Sequence, residues 1–284
     1  MELLFSVLAS TLIFLLFKVF PRWEINTFQA VVSNYFTAFL CGFLLFHRDF
    51  SLPIIVESLP IVLVCGTLFI SLFVIMGLSS QHNGVSSTSV AVKMSMALSV
   101  LIVIALGKET TGFIHIASLG LAMIGVYFVS SPSGSSQISK STWMLVVLFF
   151  GSSALDVVLF AINRFLMPEG LSDGVFSSLG FLLAGTMGLS YLTYQLVRNK
   201  IVLDWKSWIA GIVLGIPNYF SIYLLISSYS SINLPASKVL AIANLGVVVL
   251  STGLGNLLFK EKFSAKKILG LAFSLLSLLL LLSL

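Results

Sequence analysis

The sequence predicts an all-α polytopic membrane protein with ten transmembrane helices, arranged as two inverted five-helix repeats. Three observations carry that expectation. First, 58% of the 284 residues are hydrophobic and 9% are charged, with a mean hydropathy of +1.11, whereas a soluble domain carries roughly a quarter charged residues. Second, the apolar residues fall into repeated spans of about 20, the length that crosses a hydrocarbon core. Third, the two halves of the chain echo each other in the same order.

Breaks marked by charge, Pro, Gly or Ser delimit the spans. They are Glu2–Phe20, Thr27–His47, Ile54–Ser79, Ser86–Gly107, Phe113–Ser131, Thr142–Phe165, Gly174–Val197, Ser207–Ser228, Pro235–Phe259 and Lys266–Leu284. The first, Met1–Trp23, lacks a basic leader and a small-residue cleavage site, so it reads as a retained helix and not a signal peptide. Nearly all connections are short, which makes successive helices antiparallel neighbours and leaves no room for a soluble domain. The segment "SPSGSSQISK" is polar and aperiodic, as a linker is. It divides the chain into a first repeat (1–131), a linker (132–141) and a second repeat (142–284).

The echoes are specific. "GKETTGFIHIASLGLA" (Gly107–Ala122) parallels "FKEKFSAKKILGLA" (Phe259–Ala272), each with Lys-Glu closing a fourth span before Leu-Gly-Leu-Ala in a fifth. "FKVFPRWEINTFQ" after the first span parallels "NRFLMPEGLSDGVF" after the sixth, with Lys18 and Arg164 in similar places. Five helices is an odd number, so a tandem copy enters the membrane upside down. Inverted repeats are the architecture of secondary transporters, whose substrate sits near the midplane where the halves meet.

On these residues, together with "GIPNYFSIYLLISSYSSINLPAS" (Gly215–Ser237), the whole chain resembles the drug/metabolite transporter superfamily and its ten-helix EamA-type members. The first half departs from the pattern at its fourth span, which has no proline to match Pro235. The resemblance implies alternating access by two gating halves, with both termini in the cytoplasm. In the similar triose-phosphate and nucleotide-sugar branches, lysines on the fourth and ninth helices hold phosphate. That points to an organic anion or amino acid as the solute here, bound by Lys93 and Lys238.

Charge inside the spans carries the chemistry. Lys93 lies a third of the way along the fourth span, where a charge costs about 2.5–3.5 kcal/mol on insertion scales. Ser86 and Ser89, at i−7 and i−4, share its face, as in the wall of an aqueous cavity. Lys238 occupies a similar place on the ninth span, two residues out of register, and there the alternative is snorkelling to the interface. Asp156 is the carboxylate near mid-span, on a face with Ser152, Leu159 and Asn163. It reads either as a proton-coupling site or as a structural counter-charge to Lys93. On both readings it faces the bundle interior.

Further polar candidates for a solute site are Asn34 and Tyr35 on the second span, Asn218 on the eighth and Asn244 on the ninth. Thr37, Ser221, Ser228, Ser237 and Ser251 recur on the same helices, but Ser, Thr and Asn also join membrane helices with no ligand involved. Tyr219 and Tyr223 lie deep enough to stack on a solute. Gly211-x-x-x-Gly215 reads as a close helix contact. Trp23, Trp143, Trp205 and Trp208 fall at span ends, as interfacial belts do.

Other chemistries find little support. His47, His82 and His115 lie at span edges, so no buried nucleophile–His pair or metal cluster emerges. There is no phosphate loop and no Cys/His ligand spacing, so no cofactor and no catalytic or metal-binding residue is expected. Cys41 and Cys65 sit inside apolar spans as small core residues. The net charge of +5 belongs to loops facing anionic headgroups and not to nucleic-acid binding.

Orientation is contradictory. Arg48, Lys108 and Arg164 lie on the side of the termini. Lys18, Arg22, Lys140, Arg198, Lys200, Lys206, Lys260, Lys262, Lys266 and Lys267 lie on the other. The positive-inside rule then puts the termini outside, against the resemblance, which we follow. The expected protein is a bacterial inner-membrane secondary transporter of a small anionic or zwitterionic metabolite, with protons as a candidate coupling ion. The alternatives are a membrane scaffold without transport activity and an intramembrane enzyme.

Overall fold

Among the described residues, the computed structural model of the chain has ten α-helices and one short 3-10 turn. They are α1 (Glu2–Val19), α2 (Thr27–Phe46), α3 (Leu52–His82), α4 (Val85–Leu106), α5 (Phe113–Ser130), α6 (Thr142–Ala161), α7 (Asp173–Val197), α8 (Trp205–Ser231), α9 (Ala236–Phe259) and α10 (Ala265–Ser283). The structure describes all residues except 47–48, 51, 107–111, 131–140, 163–165, 167–170, 199, 233–235, 262–263 and 284. The side chains of 52–54, 100, 103–106, 115, 130, 160, 173, 226, 229–230, 236–238 and 281–283 also lie outside the description. The expected linker and the Lys108-Glu109 loop therefore fall almost wholly outside the described residues.

Among the described residues, seven of the helices are long and apolar enough to cross a membrane, namely α1, α2, α3, α6, α7, α8 and α9. The chain is a multi-pass helical membrane protein. In α5 the described apolar stretch is the shorter Ile116–Val129. At 31 residues, α3 would span about 46 Å at 1.5 Å per residue, more than the roughly 30 Å hydrocarbon core, so it projects or tilts.

Contacts between helices fix their directions. Residues 30–34 of α2 meet 211–215 of α8, and Gly42 meets Tyr219, so these two run parallel. Along α2 and α7, Gly188 meets Val32 and Gly174 meets Phe46, an antiparallel pair. Gly125 and Gly270 cross α5 against α10, with Ser277 donating to the Ser118 carbonyl at 2.6 Å. Val7 against Gly246 and Arg22 over Phe259 make α1 and α9 parallel. In every pair, odd-numbered helices point one way and even-numbered helices the other.

Small residues let the backbones approach. A Cβ on Gly215 would lie 2.6 Å from Thr37 Cβ and 2.7 Å from the Asn34 carbonyl oxygen, and one on Gly211 would strike the Ala30 carbonyl. The Gly-x-x-x-Gly contact expected from the sequence is thus the α2–α8 seam. Around it lies a core that includes Phe17, Val31, Tyr35, Phe181 and Leu214. Outward residues such as Leu44, Val56, Tyr127 and Leu257 are exposed, as side chains facing lipid are.

At the end of the bundle holding the 3-10 turn Phe20–Trp23, polar side chains stitch helices together. Lys18 Nζ donates to the Gln81 carbonyl (2.9 Å) and Gln81 to the Thr27 hydroxyl (2.6 Å). Gln29 donates to the Val202 carbonyl and accepts from Asp204 N–H. Asp204 caps α8 by accepting from Lys206 N–H, Ser207 N–H and the Ser207 hydroxyl. These bonds, the Ser207 hydroxyl first, hold its carboxyl below the usual carboxylate range.

Overpacking a seam of this kind costs about 1–3 kcal/mol. Gly215→Val should therefore lower the thermal midpoint of the purified protein by several degrees, read by temperature-dependent size-exclusion chromatography, while Gly120→Val, in open space, leaves it unchanged.

Candidate functional site

Helix α4 is enclosed. It packs against α1, α3, α5, α6, α9 and α10, and Ser86 to Ala91 along its first turns are all buried. Its start is set from the other half of the chain. The Glu261 carboxylate, just past the end of α9, accepts from Val85 N–H (2.6 Å), Ser86 N–H (3.3 Å) and the Ser86 hydroxyl (2.8 Å). Helix N-termini leave such N–H groups without partners and carry partial positive charge, so a carboxylate suits both needs. Gly84 precedes the cap at φ +95°, and a Cβ there would meet the Glu261 carboxylate at 2.7 Å.

Lys93 is the ninth residue of α4, about 12 Å from the capped end at 1.5 Å per residue. Although its helix is enclosed, Lys93 is partly exposed, so its side chain is not wholly sealed in packed protein. Its ammonium has no hydrogen-bond partner among the described residues. One turn on, the Asn244 amide of α9 donates to the Met96 sulfur at 3.1 Å, a weak acceptor. Two turns on, the Ser99 hydroxyl donates to Asp156 Oδ2 of α6 at 2.9 Å and lies 3.3 Å from the Ser153 hydroxyl.

Asp156 is exposed, yet not towards lipid. At 100° per residue it lies about 20° around α6 from buried Phe149 and about 120° from exposed Phe150. It faces Ser99 of α4. Lys93 and Asp156 attract each other electrostatically, but no ion pair within 4.0 Å joins them. Two opposite charges thus lie near each other without a contact ion pair.

The other candidates divide. Asn34 is fully buried on α2, with neither amide atom partnered, and the Asn218 amide nitrogen on α8 is likewise buried without a partner. Both belong to the α2–α8 seam and not to the Lys93 group. Tyr35 is buried, its hydroxyl donating to the Phe69 carbonyl at 2.6 Å and its ring stacked on Phe181. That makes it a packing residue. Tyr219 is stacked on Tyr223. The Lys238 side chain lies outside the described residues.

One expectation changes. Ser86 and Ser89 do not line a wet wall, because both are buried, Ser86 bonding Glu261 and Ser89 bonding Ser251 at 2.6 Å. Lys238 is the third residue of α9 and Asn244 the ninth, as Lys93 is the ninth of α4. Sequence reasoning missed Ser99, Ser153 and Met96. A search at i+3 and i+6 from Lys93 and i−3 from Asp156 would have found them.

No model of a known protein family matches the chain. A Haemophilus influenzae protein described as "Uncharacterized protein" is 30% identical to it over 283 residues, covering 96% of this chain and 94% of that one. The chain belongs to the family of that protein. A solved crystal structure superposes with a TM-score of 0.59, covering 97% of this chain and 96% of that chain at 16% identity. That likeness shows a shared fold.

Removing the Glu261 carboxylate deprives α4 of a cap, a loss of about 0.5–2 kcal/mol for comparable caps. Glu261→Ala should lower the thermal midpoint measurably, and Glu261→Asp should recover only part of it.

Proposed function

We propose that this protein is a secondary transporter of the drug/metabolite type. It carries a small anionic or zwitterionic metabolite across the bacterial inner membrane by alternating access of two inverted five-helix repeats. The observation that carries the reading is Lys93, a partly exposed ammonium on an enclosed helix with no hydrogen-bond or ion-pair partner among the described residues. Such a charge near mid-span is a functional site by default, because lipid and dry protein both penalise it. A carboxylate or phosphate on the solute supplies its partner, and Asn244 and Ser99 offer polar neighbours one and two turns away.

Helix pairing supports the repeats. Exchanging each helix for the one five places along turns α1–α8 into α6–α3, α1–α9 into α6–α4, α2–α8 into α7–α3 and α4–α5 into α9–α10, and all of these pairs pack. The α2–α7, α4–α9 and α5–α10 pairs map onto themselves. Alternating helix directions fit a second half inserted upside down. The drive is then an ion gradient, exchange or the solute's own gradient, and Asp156, held off Lys93 and bonded by Ser99, is the coupling carboxylate.

The test is accessibility. In a background with Cys41 and Cys65 replaced by Ser, Lys93→Cys should react with a membrane-impermeant thiol reagent from at least one side, and bound solute should slow that reaction. Uptake of an anionic solute, found by thermal-shift screening of a metabolite library, should be lost in the same variant. No labelling from either side in any condition would favour a scaffold. For Asp156→Asn in proteoliposomes, exchange should persist while the response to an imposed proton gradient disappears; a wild-type pH profile would remove Asp156 from coupling.

A further inference from the structure

The ends of α1 and α8 enclose a second, unrelated feature, a cleft of about 510 Å³. The two helices run antiparallel, since Ser6 donates to the Ser221 carbonyl while Leu16 and Phe20 share the cleft with Ile209 and Val213. It lies where the sequence places an interfacial belt, flanked by Trp23 and Trp205, which are 62% and 69% exposed. Its floor continues onto half-exposed Ile209 and Val213 on the outer surface of α8. A site that is apolar below and charged at headgroup level suits an amphiphile.

The charges around its rim are Arg22, Lys206 and Glu24. The Arg22 guanidinium sits 5.2 Å over the Phe259 ring, and no carboxylate lies within 4.0 Å of it or of Lys206 among the described residues. Asp204, the acid closest to Lys206 in the chain, is committed to the α8 cap. Glu24 closes the 3-10 turn at φ 57°, its N–H held by the Phe20 and Pro21 carbonyls. Two cations and one carboxylate match a headgroup with a phosphate and a primary ammonium.

We propose that this cleft binds phosphatidylethanolamine. Arg22 and Lys206 hold its phosphate, Glu24 accepts hydrogen bonds from its ammonium, and an acyl chain lies along Leu16, Phe20, Ile209 and Val213. Phosphatidylglycerol offers no cation to Glu24, and the methylated ammonium of phosphatidylcholine has no N–H to donate. The bound lipid bridges α1 of the first half to α8 of the second. The inference does not depend on transport.

Delipidated protein would be titrated with phosphatidylethanolamine, phosphatidylglycerol, phosphatidylcholine and soluble phosphoethanolamine, with retained adducts counted by native mass spectrometry. Phosphatidylethanolamine should be retained at least severalfold more than the other three. Arg22→Ala/Lys206→Ala should abolish that retention, and Glu24→Gln should erase the preference over phosphatidylglycerol. Equal retention of the three lipids, tight binding of free phosphoethanolamine, or undiminished retention in the double variant would each overturn the assignment. Should a variant not elute as a single folded species, a photoactivatable phosphatidylethanolamine on the wild-type protein decides. Crosslinks at Trp23 and Trp205 support the site, and crosslinks confined to other helices refute it.

Discussion

The Glu261 carboxylate is the contact on which the rest of the arrangement hangs. It reaches from the end of α9 to the first N–H groups of α4, tying the second half of the chain to the helix that bears Lys93. Two glycines clear its path, since a Cβ on Gly84 would collide with the carboxylate and one on Gly255 would crowd it at 3.2 Å. A charged acceptor at a helix N-terminus is strong where little water competes. Because a helix is stiff, fixing its first turn fixes the depth of every residue along it. Lys93, Met96 and Ser99 take their places relative to α6 and α9 from that anchor, reinforced by the Ser89–Ser251 bond.

Buried polar groups in this bundle do two different jobs. Some are spent on seams, such as Ser6 to Ser221, Ser33 to Trp208 and Ser277 to Ser118, where a hydroxyl meets a carbonyl of the neighbouring helix, and others, such as Ser80 and Ser178, bond a carbonyl of their own helix. The seam bonds hold membrane helices together where apolar packing alone discriminates little between partners. Lys93 and Asp156 are different, since neither is wholly buried and no contact ion pair joins them. Asn34 is a third case, with both amide atoms unpartnered and no exposure. An orphaned buried amide costs about 1–3 kcal/mol, and this one meets a solute only if the α2–α8 seam parts.

How far the sequence could be read follows from which interactions are local. Helix existence is a matter of apolar length and breaks, so spans such as Thr27–His47 and Gly174–Val197 match α2 and α7 within about a residue at each end. Gly211 and Gly215 were legible as a contact because small residues one turn apart have few other uses in a membrane helix. The inward direction of Asp156 followed from helical periodicity, which also put Lys93 in the interior. Partner choice was not legible. Ser86 and Ser89 share the Lys93 face, yet their hydroxyls are claimed by Glu261 and Ser251, residues far away in the chain. Tyr35 has the chemistry of a ligand-stacking residue, and only the position of the Phe69 carbonyl assigns it to packing.

The register between α4 and α9 bears on what a chamber between these helices would recognise. Ser89 meets Ser251 and Met96 meets Asn244, so the two helices run antiparallel and cross with their ninth residues close in depth. Those ninth residues are Lys93 and Asn244, a cation and an amide about one turn apart in depth, while Lys238 begins about 9 Å further along α9 at 1.5 Å per residue. A pair of lysines at one depth would call for a symmetric dianion. On the transporter reading, a single ammonium on α4, an amide on α9 and a Ser99-bonded carboxylate on α6 would instead polarise the site, favouring a solute with one anionic end and a hydrogen-bonding or cationic end.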